Sequence, residues 1–206
     1  EMISLLEQAM GLERAHVGIY TELAVLFAKY YPEKVLDHIR NNFQRLNISK
    51  VLRTCERYQL WPETVYLYSN YNEFDNAIST MIEHSPSAWQ HDQFVSLVQK
   101  VSNTDLYYKA VLFYFEEQPM QLNDLLKGLS TKIDLSKLVS VMRKTGYLAL
   151  ITPFMKNAQN QNNQAINEAL NELYLDSEDH ESLWESVTQY ENIDQLSLAQ
   201  STERHH

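Results

Sequence analysis

Apolar residues recur at intervals of three and four along nearly the whole chain, the spacing of helices that bury one or more faces. The pattern predicts fourteen short helices, over 2–10, 14–31, 32–43, 48–58, 61–71, 73–83, 89–101, 104–117, 119–129, 134–144, 147–158, 163–175, 178–190 and 192–202. The punctuation between them agrees. Pro32, Pro62 and Pro119 stand where a first-turn proline is tolerated. Asn47, Asn103 and Asp134 are in N-cap positions, and Ser177 ahead of His180-Glu181 starts a further helix with acid in its first turn. Gly11, Gly128 and Gly146 fall at or near predicted helix ends, where a left-handed residue ends a helix at low cost. The run NAQNQNNQ at 157–164 reads as an exposed Asn/Gln-rich connector.

Helices this short, joined this tightly, imply stacked pairs of about 25–35 residues each. The helix predicted at 104–117 is apolar on more than one side, through Leu106, Tyr107, Ala110, Val111, Phe113, Tyr114 and Phe115. A helix held between neighbours in a solenoid requires that, and a bundle with one buried stripe per helix requires it less. The expected class is therefore all-α, an α-solenoid of stacked helical hairpins.

Composition narrows the picture without changing it. The 206 residues include 44% hydrophobic positions but only 4 glycines and 5 prolines, few breakers for a β protein. The net charge of −10 argues against a general nucleic-acid binder, which needs a basic surface. A lone Cys55 excludes an internal disulfide and sits in helical register with Val51, Leu52 and Tyr58 as a packing residue. No apolar run reaches the roughly 18 residues of a membrane span, and the N-terminus lacks the basic start of a secretory signal. Glu1 in place of a start methionine reads as a piece of a longer chain, and His205-His206 is either native or a tag remnant.

Candidate chemistry is sparse. Glu13, Arg14 and His16 cluster in GLERAH, and such groups can serve acid–base catalysis. No second constellation joins them, and His16 heads the stripe Tyr20, Leu23, Ala24, Phe27, so the expectation is a helix start and packing histidine. No HExxH, CxxC, GxSxG or glycine-rich phosphate loop occurs, which leaves no catalytic, metal-binding or cofactor-binding candidates. One helical face stands out instead. Gly18, Glu22, Val25 and Lys29 follow one another at i, i+4, i+7 and i+11, the least bulky side of the helix, with a basic end. A partner helix can lie in such a groove, or Gly18 can simply admit a neighbouring hairpin. Charge is also segregated: Lys29, Lys34, Arg40, Arg45, Lys50 and Arg53 concentrate in an otherwise acidic chain, and 168–194 is strongly acidic.

Blocks in one register then carry a resemblance: GLERAH (11–16), TELAVL (21–26), ISKVLR (48–53), Leu60-Trp61, YNEFDNAI (71–78), KVSN (100–103), LYYKA (106–110), LNDLL (122–126), Asn162-Asn163 and SLAQ (197–200). Over its full length the chain resembles the clathrin heavy-chain family, in its proximal leg. It departs from the family at Asn41-Asn42-Phe43-Gln44, at Ser49 and across 175–190. The terminal ERHH matches the family's continuation and so reads as native.

The resemblance implies a right-handed α-solenoid. It implies that 1–206 is most of one heavy-chain repeat plus part of the next, with no separate second domain. It further implies a non-enzymatic scaffold of the vesicle coat, on the cytoplasmic face of coated pits and vesicles, supporting endocytosis and vesicle transport. The implied partners are other heavy chains, with trimer contacts outside this segment, and the clathrin light chain. Lys29 would face an acidic patch of the light chain, with Gly18, Glu22 and Val25 as the groove floor. Neither nucleic acid nor membrane insertion is implied. The alternative is a related solenoid of a vacuolar tethering complex.

Overall fold

The structure is a computed structural model that describes residues 1–11 and 16–204, apart from the side chains of Ser201 and Arg204. Fourteen α-helices follow one another among the described residues: α1 (Met2–Met10), α2 (Val17–Tyr30), α3 (Val35–Asn42), α4 (Ile48–Arg57), α5 (Trp61–Asn70), α6 (Phe74–Glu83), α7 (His91–Val98), α8 (Asp105–Glu117), α9 (Leu122–Leu129), α10 (Leu135–Thr145), α11 (Thr152–Ala158), α12 (Gln164–Asp176), α13 (His180–Gln189) and α14 (Gln195–Arg204). The described residues form no strand. The fold is all-α, of the stacked-hairpin solenoid class that the apolar spacing predicts. Short 3-10 turns lead into α3, α9 and α11, so three predicted helices each begin as a tighter turn.

The chain divides into two compact units, Glu1–Ser102 and Asn103–His206. In the first, α2 packs against α1, α3 and α4, and the succession continues α4 on α5, α5 on α6 and α6 on α7. Its core joins Leu23, Ala24 and Phe27 of α2 to Val35 and Ile39 of α3, Val51 and Cys55 of α4, and Leu67 of α5. In the second unit α8 packs on α9, α9 on α11, and α12 on α10, α11, α13 and α14. Leu122, Leu125, Leu126, Leu138, Met142, Ile151, Met155, Ile166 and Leu170 are wholly buried there. Each fully buried Leu or Ile contributes roughly 1.5–3 kcal/mol. Ion pairs between helices, such as Lys34–Glu7 at 3.6 Å and Lys137–Asp105 at 3.0 Å, join half-exposed side chains. Pairs of that kind are worth about 0–1 kcal/mol each, so burial rather than charge holds the stacks together.

Turn chemistry departs from expectation in four places. Of the three glycines, only Gly146 is left-handed, at φ 75°; Gly11 ends α1 with φ −72°, and Gly128 lies inside α9. The left-handed ends are made instead by Gln59, Asn72, Asn162 and Glu178. At three of these the chain closes with a six-to-one bond: Leu60 N–H to Cys55 O (2.9 Å), Glu73 N–H to Tyr68 O (2.9 Å) and Asp179 N–H to Tyr174 O (2.8 Å). Those bonds satisfy a carbonyl at each helix end and offset the cost of a side chain at positive φ.

Asn47 and Asp134 cap as predicted, accepting from Lys50 N–H at 3.1 Å and Lys137 N–H at 3.0 Å. The helix after Asn103 opens one residue later, at Thr104, although the Asn103 side chain still accepts from Asp105 N–H at 3.0 Å. Ser177 starts nothing: its hydroxyl bonds back to Leu173 O at 2.8 Å and ends α12, while Asp179 caps α13 by accepting from Ser182 N–H. The run 157–164 is largely exposed, as expected, but it is not a long loop. It closes in one 3-10 turn, with Asn162 left-handed, Asn163 capping α12, and Gln159 buried. Asparagine tolerates the left-handed region and makes a strong cap, so the polar composition encodes a tight corner.

Candidate docking face

The start of α2 explains its glycine. His16 is the N-cap, and its Nδ1 accepts from Gly18 N–H at 3.0 Å. A Cβ on Gly18 would stand 3.0 Å from His16 Nδ1 and 3.4 Å from its Cε1, and would meet no other atom within 4 Å. The missing side chain therefore lets the imidazole fold back over the first turn; among the described residues no neighbouring hairpin comes within 4 Å of that position. His16 is exposed, so the expected packing histidine is a capping histidine instead. Glu13 and Arg14 lie outside the described residues.

The rest of α2 sorts cleanly. Tyr20, Thr21, Leu23, Ala24, Phe27 and Ala28 are buried, while Gly18, Glu22, Val25 and Lys29 share the opposite, solvent side. Glu22 and Lys29 are exposed and Gly18 and Val25 half-buried, and the two charges are unequal. Glu22 is bound by Lys50 of α4, which neutralises it. Lys29 is fully exposed in the last turn, its ammonium 4.9 Å from the centre of the Tyr30 ring. A hydrogen bond to Tyr30 and the pull of that phenol hold the Lys29 pKa above its ordinary 10.5, while Tyr58 raises it slightly and Arg57 opposes it. The face thus presents one persistent cation beside exposed aromatic rings. Tyr30 is 56% exposed and Tyr58 36%, and Arg57 lies 5.9 Å from the Tyr58 ring. Sequence reasoning found Lys29 and missed this company. Its signal was present in the basic-aromatic pairs Lys29-Tyr30 and Arg57-Tyr58, which end α2 and α4.

Behind the face, His38 is buried and donates through Nε2 to Tyr20 O at 2.8 Å, with its ring edge-on to Phe27. Burial lowers its pKa from 6.5, and the bond to Tyr20 O opposes this in part. A neutral ring donates from Nε2 to the carbonyl, leaving Nδ1 to accept from Asn42 Nδ2 at 3.4 Å. Asn42, one of the positions that departs from the family pattern, also donates to His38 O at 2.9 Å. Cys55 is wholly buried, and burial, with Glu63 and Glu56 nearby, pushes its thiol up to about 12. A thiol so held is a packing group without nucleophilic character. The basic residues Lys34, Arg40, Arg45, Lys50 and Arg53 are all exposed, as are most carboxylates of 168–194.

Comparison with known proteins adds a family to this geometry. A family described as "Region in Clathrin and VPS" matches residues 1–122 and 126–206. The whole chain is 52% identical to clathrin heavy chain 1 of Oryza sativa subsp. japonica, 49% to the clathrin heavy chain of Dictyostelium discoideum and 46% to clathrin heavy chain 2 of Homo sapiens. In each case the chain spans 12% of the relative's length.

Proposed function

The chain belongs to the family of helical regions found in clathrin and VPS proteins, and from that premise we propose that it is a structural, non-enzymatic segment of a clathrin vesicle coat. The observation that carries the proposal is the continuity of the likeness, 52% identity over 205 residues to a heavy chain, with all of this chain included. In this reading residues 1–206 belong to the proximal leg, as one stretch of solenoid comprising most of one repeat and part of the next. Hairpins packed on their neighbours make such a leg stiff. Its contacts with other heavy chains are individually weak and sum over a lattice. The coat lies on the cytoplasmic face of pits and vesicles. No helix among the described residues is long and apolar enough to cross a membrane.

The outward side of α2 is the proposed seat of the light-chain helix. Lys29 is the charge partner, and Gly18, Glu22 and Val25 are the floor. The placing of all four on one face opposite the buried side, with Glu22 and Lys29 exposed and Gly18 and Val25 half-buried, supports this. In a full heavy chain, Lys29→Glu is expected to weaken binding of a titrated light-chain helix roughly tenfold or more, by turning one attraction into a repulsion. Unchanged affinity would sink the docking assignment and leave the scaffold reading standing. The scaffold reading has its own test: this segment, exchanged into a relative's heavy chain, must support cage assembly seen by electron microscopy. The family description also covers VPS proteins, and a tethering-complex solenoid would pass neither test.

A further inference from the structure

Two surfaces outside the α2 face are complementary, and they belong to different units. The stretch 29–57 holds seven Lys or Arg against three Asp or Glu, a net +4; 168–194 holds nine Asp or Glu and no Lys or Arg. Within each, structure concentrates the charge. At the turn between α3 and α4, Arg40 and Arg45 flank a crevice of about 460 Å³, with Phe43, Tyr66 and Asn70 in its walls. Arg40 lies 5.5 Å from the Tyr66 ring, and Arg45, 5.0 Å from the Tyr20 ring, donates through Nη1 to the Tyr20 hydroxyl, so both guanidinium groups are oriented by tyrosines. Among the described residues Asp37 pairs with Arg40 only at 3.9 Å and is itself exposed.

The opposing surface is the outer face of α13. Glu181, Trp184, Glu185 and Thr188 are exposed there at i, i+3, i+4 and i+7. Trp184 is 76% exposed, and beside it His180, Leu183, Val187 and Leu198 line an apolar crevice of about 310 Å³. Glu181 and Glu185 pair with no cation among the described residues. An exposed tryptophan between two unpaired carboxylates one turn apart has the composition of an interface centre.

We propose that the Glu181–Trp184–Glu185 face of one copy docks on the Arg40/Arg45 crevice of a second copy. Each carboxylate meets a guanidinium, whose planar fork suits a bidentate carboxylate, and Trp184 packs against the crevice wall at Phe43 and Tyr66. A second copy is the fitting occupant because both halves of the contact, of opposite sign, lie on the same chain. The contact joins different patches, so it is heterologous, and each copy offers both halves to its neighbours. It leaves Lys29 and the rest of the α2 face free. It rests on the coat reading only in taking neighbouring copies to meet in an assembly.

The test uses the 206-residue chain in sedimentation velocity at rising concentration, in about 50 mM and about 500 mM salt, conditions that span weak and strong screening. Wild type is expected to self-associate in low salt and to lose roughly tenfold or more of that association in high salt. Glu181→Arg/Glu185→Arg, and separately Arg40→Glu/Arg45→Glu, are each expected to lose roughly tenfold or more in low salt. Mixing the two reversed chains restores association, because each now carries the other's complement. Trp184→Ser weakens association while the salt dependence remains. Glu181, Glu185 and Trp184 are exposed, so these variants fold even if the Arg45 change disturbs Tyr20. A wild-type chain that stays monomeric, reversed chains that associate like wild type, or a mixture that fails to recover each overturn the proposal. Normal cage assembly by a heavy chain carrying the same reversals overturns this contact alone, whereas failure of the unmodified exchanged segment to assemble sinks the coat reading.

Discussion

Replacing Ser186 by alanine removes one oxygen and is expected to loosen a whole helix. Ser186 is the only fully buried residue of α13. Its hydroxyl accepts from Gln159 Nε2 at 2.8 Å and donates to Asn171 Oδ1 at 2.7 Å. All three residues are more than nine-tenths buried, at 6%, 5% and 2% exposure for Gln159, Ser186 and Asn171. Ser186→Ala therefore strands a donor and an acceptor at once. Each stranded group costs about 1–3 kcal/mol. Alanine recovers about 0.5 kcal/mol through its better helix propensity. The net expectation is a loss of about 1.5–5.5 kcal/mol, read by urea unfolding followed by circular dichroism, with faster amide exchange confined first to α13. Replacing all three members by apolar residues (Gln159→Leu, Asn171→Leu, Ser186→Ala) should recover at least half of the loss, since no polar group is then left unpaired. A loss below about 1 kcal/mol for Ser186→Ala, or a triple variant worse than the single one, would refute the view that these bonds pin α13.

Two further outcomes follow from the first unit. The His38 pKa is lowered in the folded chain, so its contribution to stability is complete above the ordinary value of 6.5 and is lost as pH falls below 6.5 through the folded value; thermal melts across that window should slope more steeply for wild type than for His38→Gln, and equal slopes would count against it. Gln59 holds φ 57° at the end of α4, so Gln59→Gly should stabilise by about 0.5–1 kcal/mol and raise the melting temperature by roughly 1–4 °C, whereas an unchanged or lower midpoint would show that the Gln59 side chain contributes something the geometry does not reveal.

The sequence yields helices more readily than corners for a physical reason. Apolar periodicity is repeated several times within each helix, so errors at single positions cancel, and each predicted helix corresponds to one of α1–α14. A corner rests on one or two residues. Gln59 and Glu178 occupy left-handed positions that composition assigns to glycine, and the six-to-one bonds Leu60 N–H to Cys55 O and Asp179 N–H to Tyr174 O offset their cost. The candidate face was legible as a stripe because it depends on helical spacing alone. The neutralisation of Glu22 by Lys50 and the approach of Tyr58 to Lys29 depend on how α4 packs against α2, which no local pattern encodes.

The run 157–164 and helix α13 carry the same lesson one level higher. The run read as an exposed connector, yet Gln159 within it is buried, as are Asn167 and Asn171 just beyond it, and Asn167 donates to Asn162 Oδ1 at 2.8 Å and to Asn192 O at 3.2 Å. These groups tie α12 to the turn before it and to the connection between α13 and α14, and Ser186 ties it to α13. A helix held by directional bonds needs few buried apolar residues, so its remaining positions are free to carry other duties. In α13 the free positions hold Glu181, Trp184 and Glu185. The buried polar network and the exposed tryptophan are therefore linked: anchoring α13 by hydrogen bonds fixes the orientation of a face whose largest apolar side chain points to solvent. If Ser186→Ala loosens α13, it should also weaken any association that depends on Trp184, although Ser186 itself is buried and touches no partner.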